Sequence, residues 1–271
     1  MNNTKENIDK KEAAFFERIR EQIANAPEGV DVTAFERVLR GMQTPSVDLT
    51  KIWFLLDRSG SMQSLADDVI GGYNSYIADR ADGNESATMT TVQFDSQDPF
   101  EIIDDGCDIK KVRDLTRSTY QPRGGTPLYD AIGKLVKRVD QRIEDRAVAG
   151  LPPEDQLIII FTDGMENDSR TFNREKIFDL IKDRSAQDWT FVFMGANQDS
   201  YLEGHKVGLV DGNVQDYEAT PENVRMAFES MSRATSAYAG KSRVQRTADK
   251  DSFFGDLKEA EAAIRRARRR R

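Results

Sequence analysis

Asp57, Ser59 and Ser61 are spaced two residues apart in Asp57-Arg58-Ser59-Gly60-Ser61-Met62, directly after the apolar run Ile52-Trp53-Phe54-Leu55-Leu56. One carboxylate and two hydroxyls at the end of a buried strand suit a hard cation such as magnesium, calcium or manganese, whereas softer metals prefer nitrogen and sulfur. Alone the stretch is ambiguous, because Ser, Gly and Asp also build turns and helix caps. Two distant segments carry matching donors. Thr126 lies in Pro122-Arg123-Gly124-Gly125-Thr126-Pro127-Leu128-Tyr129-Asp130, and Asp163 follows a second apolar run, Leu157 to Phe161, in Thr162-Asp163-Gly164-Met165-Glu166-Asn167-Asp168.

The elements that must position these groups follow from hydrophobic periodicity. Continuous apolar runs at Ile52–Leu56 and Leu157–Phe161 read as strands covered on both faces. Thr88–Phe94 and Phe100–Ile103 are separated by Asp95-Ser96-Gln97-Asp98-Pro99, short enough for an antiparallel hairpin. Thr190–Met194 reads as a further strand and Val207–Val214 as a weaker last one. Between them, Leu65, Val69, Tyr73 and Ile77 mark one helix, Leu128, Ile132, Leu135, Val139 and Ile143 a long second, and Ile177, Leu180 and Ile181 a third. Thr126-Pro127 and Thr220-Pro221 each read as an N-cap followed by proline at the first helical position. The second of these opens a helix carrying Val224, Ala227, Phe228, Met231, Ala234 and Tyr238.

Strands alternating with helices predict an α/β, doubly wound, Rossmann-like fold: a mostly parallel six-stranded sheet with one antiparallel edge strand and helices on both faces. Ligands in such sheets bind beyond the carboxyl ends of the strands, where the strand order reverses. If the strands ending at Asp57 and Asp163 flank that point, both carboxylates face one crevice. The expected organisation is a helical extension over 1–47, the α/β domain over 48–239, and a polar linker with an arginine-rich tail over 240–271. Helices over about 10–26 and from Thr33 are expected to cover the main domain.

Composition narrows the function. The net charge is −8, yet Arg265, Arg266, Arg268, Arg269, Arg270 and Arg271 crowd one end, so the remainder carries −14. No run approaches the roughly 18 apolar residues of a spanning helix, and the polar start Met1-Asn2-Asn3-Thr4-Lys5-Glu6 lacks a secretory pattern. A cytoplasmic protein without membrane contact is the expectation, monomeric by default. Cys107 is the only cysteine, which excludes an internal disulfide and a thiolate zinc site; it is expected to be a buried, inert thiol. His205 is the only histidine and sits in no nucleophile motif, so a surface or helix-end role is expected. Asp130, Glu166 and Asp168 read as solvated helix-start residues, and Arg58 as a rim residue facing solvent.

Asp57-x-Ser59-x-Ser61, Thr126 and Asp163 together resemble the metal-ion-dependent adhesion site of von Willebrand factor A domains, over roughly Asp48 to Tyr238. Gly125-Thr126-Pro127-Leu128-Tyr129-Asp130-Ala131-Ile132 and Phe161-Thr162-Asp163-Gly164 are similar to signatures of that family. Gly195-Ala196-Asn197-Gln198-Asp199 resembles its bacterial intracellular members. The resemblance implies that Ser59, Ser61 and Thr126 touch a divalent cation while Asp57 and Asp163 act largely through water. One coordination position then stays open for an Asp or Glu of a protein partner. Magnesium is the first choice because it keeps waters, with calcium and manganese as alternatives. Relatives of this kind look like adaptors for AAA+ ATPases, kinases and phosphatases, or stress-response complexes.

Two other functions compete with a metal-dependent protein-interaction module. A magnesium-dependent phosphoester hydrolase would use the same carboxylates, but the chain has no phosphate-cradling Gly-x-x-x-x-Gly-Lys-[Ser/Thr] loop, no second ligand cluster and no evident general base. No enzyme is therefore expected. Arg265-Arg266-Ala267-Arg268-Arg269-Arg270-Arg271 could neutralise nucleic-acid phosphates without sequence preference. No aromatics interleave with these arginines, and the acidic body opposes a long polyanion.

Overall fold

The computed structural model describes residues 49–83, 87–196 and 200–255. The helices expected before residue 48, the residues 197–199 and the arginine cluster lie outside the described residues. The chain divides into two compact units, residues 48–145 with 154–271, and residues 1–47 with 146–153. Of the latter unit only the helix end and turn at 146–153 are described, tied by Arg146 Nη2 donating to the Pro152 carbonyl at 2.7 Å.

The larger unit is one mixed sheet in the order β3-β2-β1-β4-β5-β6. β1 (Thr50–Asp57) is central and buried along its whole length, as its unbroken apolar run requires. It pairs in parallel with β2 (Ala87–Phe94) on one side and β4 (Asp155–Thr162) on the other. The strand order therefore reverses beside β1, between the strands that carry Asp57 and Asp163. β5 (Thr190–Ala196) and β6 (Val214–Tyr217) continue in parallel. β3 (Glu101–Asp108) is the antiparallel edge, longer than its apolar residues alone suggest.

Alternation along β1 sends side chains to two cores. Ile52, Phe54 and Leu56 pack on one face with α1 (Ala66–Asp82) and α5 (Pro221–Ala239). Phe228 of α5 stacks on Phe161 at 4.6 Å between ring centroids, a geometry that adds to the burial of apolar area. Trp53 and Leu55 pack on the other face with α2 (Leu128–Val148) and α3 (Arg174–Ser185). The expected six-stranded, doubly wound sheet with one antiparallel edge strand is the fold of this chain.

Two segments depart from the sequence reading. The last strand begins at Val214, not Val207. A short helix, α4 (Ser200–Lys206), is followed by Gly208 at φ +91° and a 3-10 turn at Asp211–Asn213, which break the extended path. Val207 and Leu209 are buried as loop residues, so their apolarity reports burial without strand geometry. After Gly240, where a polar linker is expected, Arg243–Asp249 forms α6 under a Ser242/Gln245 capping box. Phe253 and Phe254 then enter the core. Among the described residues, no helix is long and apolar enough to cross a membrane.

Candidate metal centre

Asp57 closes β1 opposite the end of β4, because Leu56 registers with Phe161. Its carboxylate is fully buried. Oδ1 accepts from the Ser59 backbone N–H at 2.7 Å, and Oδ2 accepts from Thr162 Oγ1 at 2.5 Å. Ser59 and Ser61 follow in the loop and the opening 3-10 turn, with their hydroxyls 3.0 Å apart. Ser61 Oγ donates to Asp163 Oδ1 at 2.6 Å across 102 positions of sequence.

Thr126 arrives from the third segment. The Gly60 N–H donates to the Gly124 carbonyl at 3.0 Å, which lays the two loops side by side. The Thr126 N–H donates to Asn167 Oδ1 at 2.8 Å, and the Asn167 N–H returns to the Thr126 carbonyl at 3.1 Å. The amides of the first turn of α2 are taken by other side chains, Tyr129 N by Glu166 Oε2 and Asp130 N by Ser169 Oγ. The capping role expected of Thr126 is thus filled from the loop after β4.

Gly164 shows what the convergence leaves open. A Cβ at this position would stand 3.0 Å from Thr126 Oγ1 and 3.5 Å from Ser61 Oγ. Glycine there keeps the space between the hydroxyls clear. The structure therefore brings Asp57, Ser59, Ser61, Thr126 and Asp163 to one crevice at the reversal of strand order.

The electrostatics of the crevice favour a cation. Burial pushes the Asp57 carboxyl up to about 7, against the opposing hydrogen bonds from Thr162 and Ser59, and the neighbouring Asp163 charge adds to the rise. Burial likewise raises Asp163. A bound cation reverses that penalty by favouring both charged forms. Among the described residues, no group of three or more His, Cys, Asp or Glu is gathered for a metal. The donors here are instead three hydroxyls and two carboxylates, a set that fits a hard cation retaining some of its water.

Several neighbouring residues differ from their expected roles. Arg58 is 4% exposed, not at a solvent rim. It donates to Asp95, Gln93 and Glu101, because its position after the buried β1 turns it under the adjoining hairpin. Asp130 is buried, accepting from the backbone N–H groups of Arg170, Thr171 and Phe172 at 2.8–3.0 Å. Those bonds hold its carboxyl below the usual range even though burial acts upward. Glu166 accepts from Tyr129 and from both Ser169 groups, so it ties the loop to α2. Asp168 is half-buried, its carboxylate 3.4 Å from Arg170 Nη2. Cys107 is half-buried, its thiol 3.8 Å from Asp104 Oδ1. His205, at the end of α4, pairs with Asp211 at 2.7 Å on the surface.

Thr162 and Asp95 escape sequence reasoning as site residues. Thr162 adjoins Asp163 in the motif but reads simply as the last strand residue. Asp95 lies in a hairpin turn, where aspartate is ordinary.

No protein-family model matches the chain, and no curated protein matches it. Solved structures do. The pilus adhesin SpaC of Lactobacillus rhamnosus GG, in its open conformation, aligns with a TM-score of 0.52 at 12% identity, over 69% of this chain and 30% of that one. Proximal thread matrix protein 1 of the mussel byssus aligns at 0.48 and 14% identity, over 66% of this chain and 45% of that one. A von Willebrand factor type A protein from Catenulispora acidiphila aligns at 0.47 and 16% identity, over 69% and 43%. This chain spans less than half the length of each. The likeness to the SpaC adhesin is one of fold alone: a six-stranded mixed sheet of Rossmann-like architecture.

Proposed function

We propose that the crevice binds a divalent cation, magnesium in the first place, and through it an acidic side chain of a protein partner. The observation that carries this reading is the meeting of Ser61 Oγ with Asp163 and with the space beside Gly164 and Thr126. Ser59, Ser61 and Thr126 would supply direct oxygen ligands. Asp57 and Asp163, engaged by neighbouring hydroxyls and amides, would act through water. A cation so held supplies a Lewis-acidic position to which an Asp or Glu carboxylate can bind.

The protein groups themselves support recognition over catalysis. Asp57 is sealed beneath Thr162 and the Ser59 amide, with no open path to abstract a proton from a substrate. The lone imidazole, His205, is held on the surface by Asp211. The resemblance to von Willebrand factor A domains implies an adaptor role, with an AAA+ ATPase or a stress-response complex as the kind of client.

The direct test is thermal unfolding with and without millimolar magnesium, calcium or manganese. A cation that binds only the folded state raises the midpoint by mass action. No shift for wild type with any of the three ions would sink the reading. Affinity capture in magnesium against EDTA, with wild type and Asp57→Ala, then asks whether partner recovery follows the cation. Identical recovery in all four samples would remove the metal-mediated contact.

A further inference from the structure

We propose that Asp95 is the positioning residue that locks the two hydroxyl-bearing loops of the crevice together, and that cation affinity depends on it. This rests on the reading of the crevice as a cation site, but Asp95 itself stands outside the donor set.

Asp95 follows β2 directly and is fully buried. Its Oδ2 accepts from Arg58 Nε at 2.7 Å and from Arg123 Nε at 3.0 Å. Arg58 Nη2 also lies 2.6 Å from that oxygen, though without hydrogen-bond geometry. Arg58 sits between Asp57 and Ser59; Arg123 sits three residues before Thr126. One carboxylate oxygen therefore joins two loops that are far apart in sequence. The other oxygen accepts from the Gln97 and Asp98 N–H groups at 2.7 and 2.9 Å, which fixes the carboxylate's orientation.

The main chain around Asp95 makes the same connection. Arg58 N–H donates to the Phe94 carbonyl at 2.9 Å and Arg123 N–H to the Arg58 carbonyl at 2.8 Å. Ser96 N–H donates to the Gly125 carbonyl at 3.1 Å, and Gly125 N–H donates to Ser96 Oγ at 2.9 Å. Gly124 adopts φ +67°, and a Cβ there would lie 2.4 Å from Ser96 Oγ, so the hairpin and the Thr126 loop fit only with glycine at this contact.

Charge gives Asp95 a second effect of the same sign. Arg58 is a buried cation next to the cradle, and Asp95 is its fully buried counter-ion. Without that carboxylate, Arg58 retains the half-exposed Glu101 and the neutral Gln93. Its uncompensated charge then opposes a second cation nearby.

The test measures magnesium affinity by calorimetry for wild type, Asp95→Asn and Arg123→Met, with the unfolding midpoint of each in EDTA. Asp155→Asn serves as control, since Asp155 is a partly buried ion-pair partner of Arg246 at the opposite end of β4. Groups that orient metal ligands typically cost about 10–100-fold in affinity when removed. A loss of that order is expected for Asp95→Asn and a smaller one for Arg123→Met, whose side chain is 39% exposed and less disruptive to remove. Asp155→Asn is expected to lower the midpoint in EDTA while leaving magnesium affinity within about 2-fold of wild type. If Asp95→Asn binds magnesium as wild type does, the proposal fails. Should that variant not fold, unchanged affinity in Arg123→Met overturns it. Absence of binding by wild type instead overturns the cation reading itself.

Discussion

Thr162 Oγ1 donates to Asp57 Oδ2 at 2.5 Å across the β1–β4 pair, so the fully buried carboxylate of the crevice is held by the last residue of the strand that leads into Asp163. This bond opposes the burial that raises Asp57, without cancelling it.

The pH dependence of metal-free stability follows from that balance. The folded-state value of Asp57, about 7, exceeds its unfolded value of 3.8. The folded protein therefore holds the extra proton between those values, and this group's contribution to stability is lost as pH rises through about 7. In EDTA, wild type should become less stable from pH 5 to 7.5, with a slope from this group of at most about 1.4 kcal/mol per pH unit. Asp57→Asn should flatten the profile, and saturating magnesium should do the same in wild type. Urea midpoints across the range provide the check.

Gly164→Ala should keep the fold and impair the cradle. The new methyl lies 3.0 Å from Thr126 Oγ1, closer than such contacts normally allow, and in van der Waals contact with Ser61 Oγ at 3.5 Å. Magnesium affinity by calorimetry should fall by about 10-fold or more, comparable to losing an orienting group. The unfolding midpoint in EDTA should move little. Unchanged affinity would show that the space beside Gly164 is not used.

Asp130→Ala should loosen the loop after β4. Three backbone N–H groups, of Arg170, Thr171 and Phe172, lose their charged acceptor. Hydrogen bonds to charged groups contribute about 1.5–3 kcal/mol each at most, and those N–H groups can recover partners in water, so a total cost of about 2–3 kcal/mol is expected. Chemical denaturation measures it. Hydrogen exchange should localise the added opening to residues 164–173.

Lys51 offers a pH effect of opposite direction. It is fully buried, donates to Thr90 Oγ1 at 2.7 Å and lies 4.7 Å from the Trp53 ring. Burial, reinforced by the Arg142 charge, lowers its ammonium to about 7 from 10.5. The unfolded chain binds the proton more tightly, so this group's stability contribution is present at high pH and is lost as pH falls from about 10.5 through 7. Lys51→Met should remove that dependence and be the more stable protein at pH 7. Denaturation of both proteins at pH 7 and 9 would reveal it; parallel profiles would exclude the effect.

The sequence by itself determined the sheet and the donor set. Unbroken apolar runs at Ile52–Leu56 and Leu157–Phe161 can only be covered on both faces, and residues with period-four apolar spacing between strands must be the helices that cover them. The hard-oxygen character of Asp57, Ser59, Ser61, Thr126 and Asp163 is a property of residue type, legible before any fold. Contacts between distant segments were not legible. Arg58 reads as a rim residue, Asp95 as a turn, and Glu166 as solvated, because the long-range partners that bury or tie them lie 28 to 43 positions away and local pattern carries no information at that range. Val207 and Leu209 likewise show burial without revealing that Gly208 breaks the strand. Only tertiary structure decided these, since which side of β1 each strand joins sets which loops meet above Asp57, and that meeting turns separate turns into one crevice.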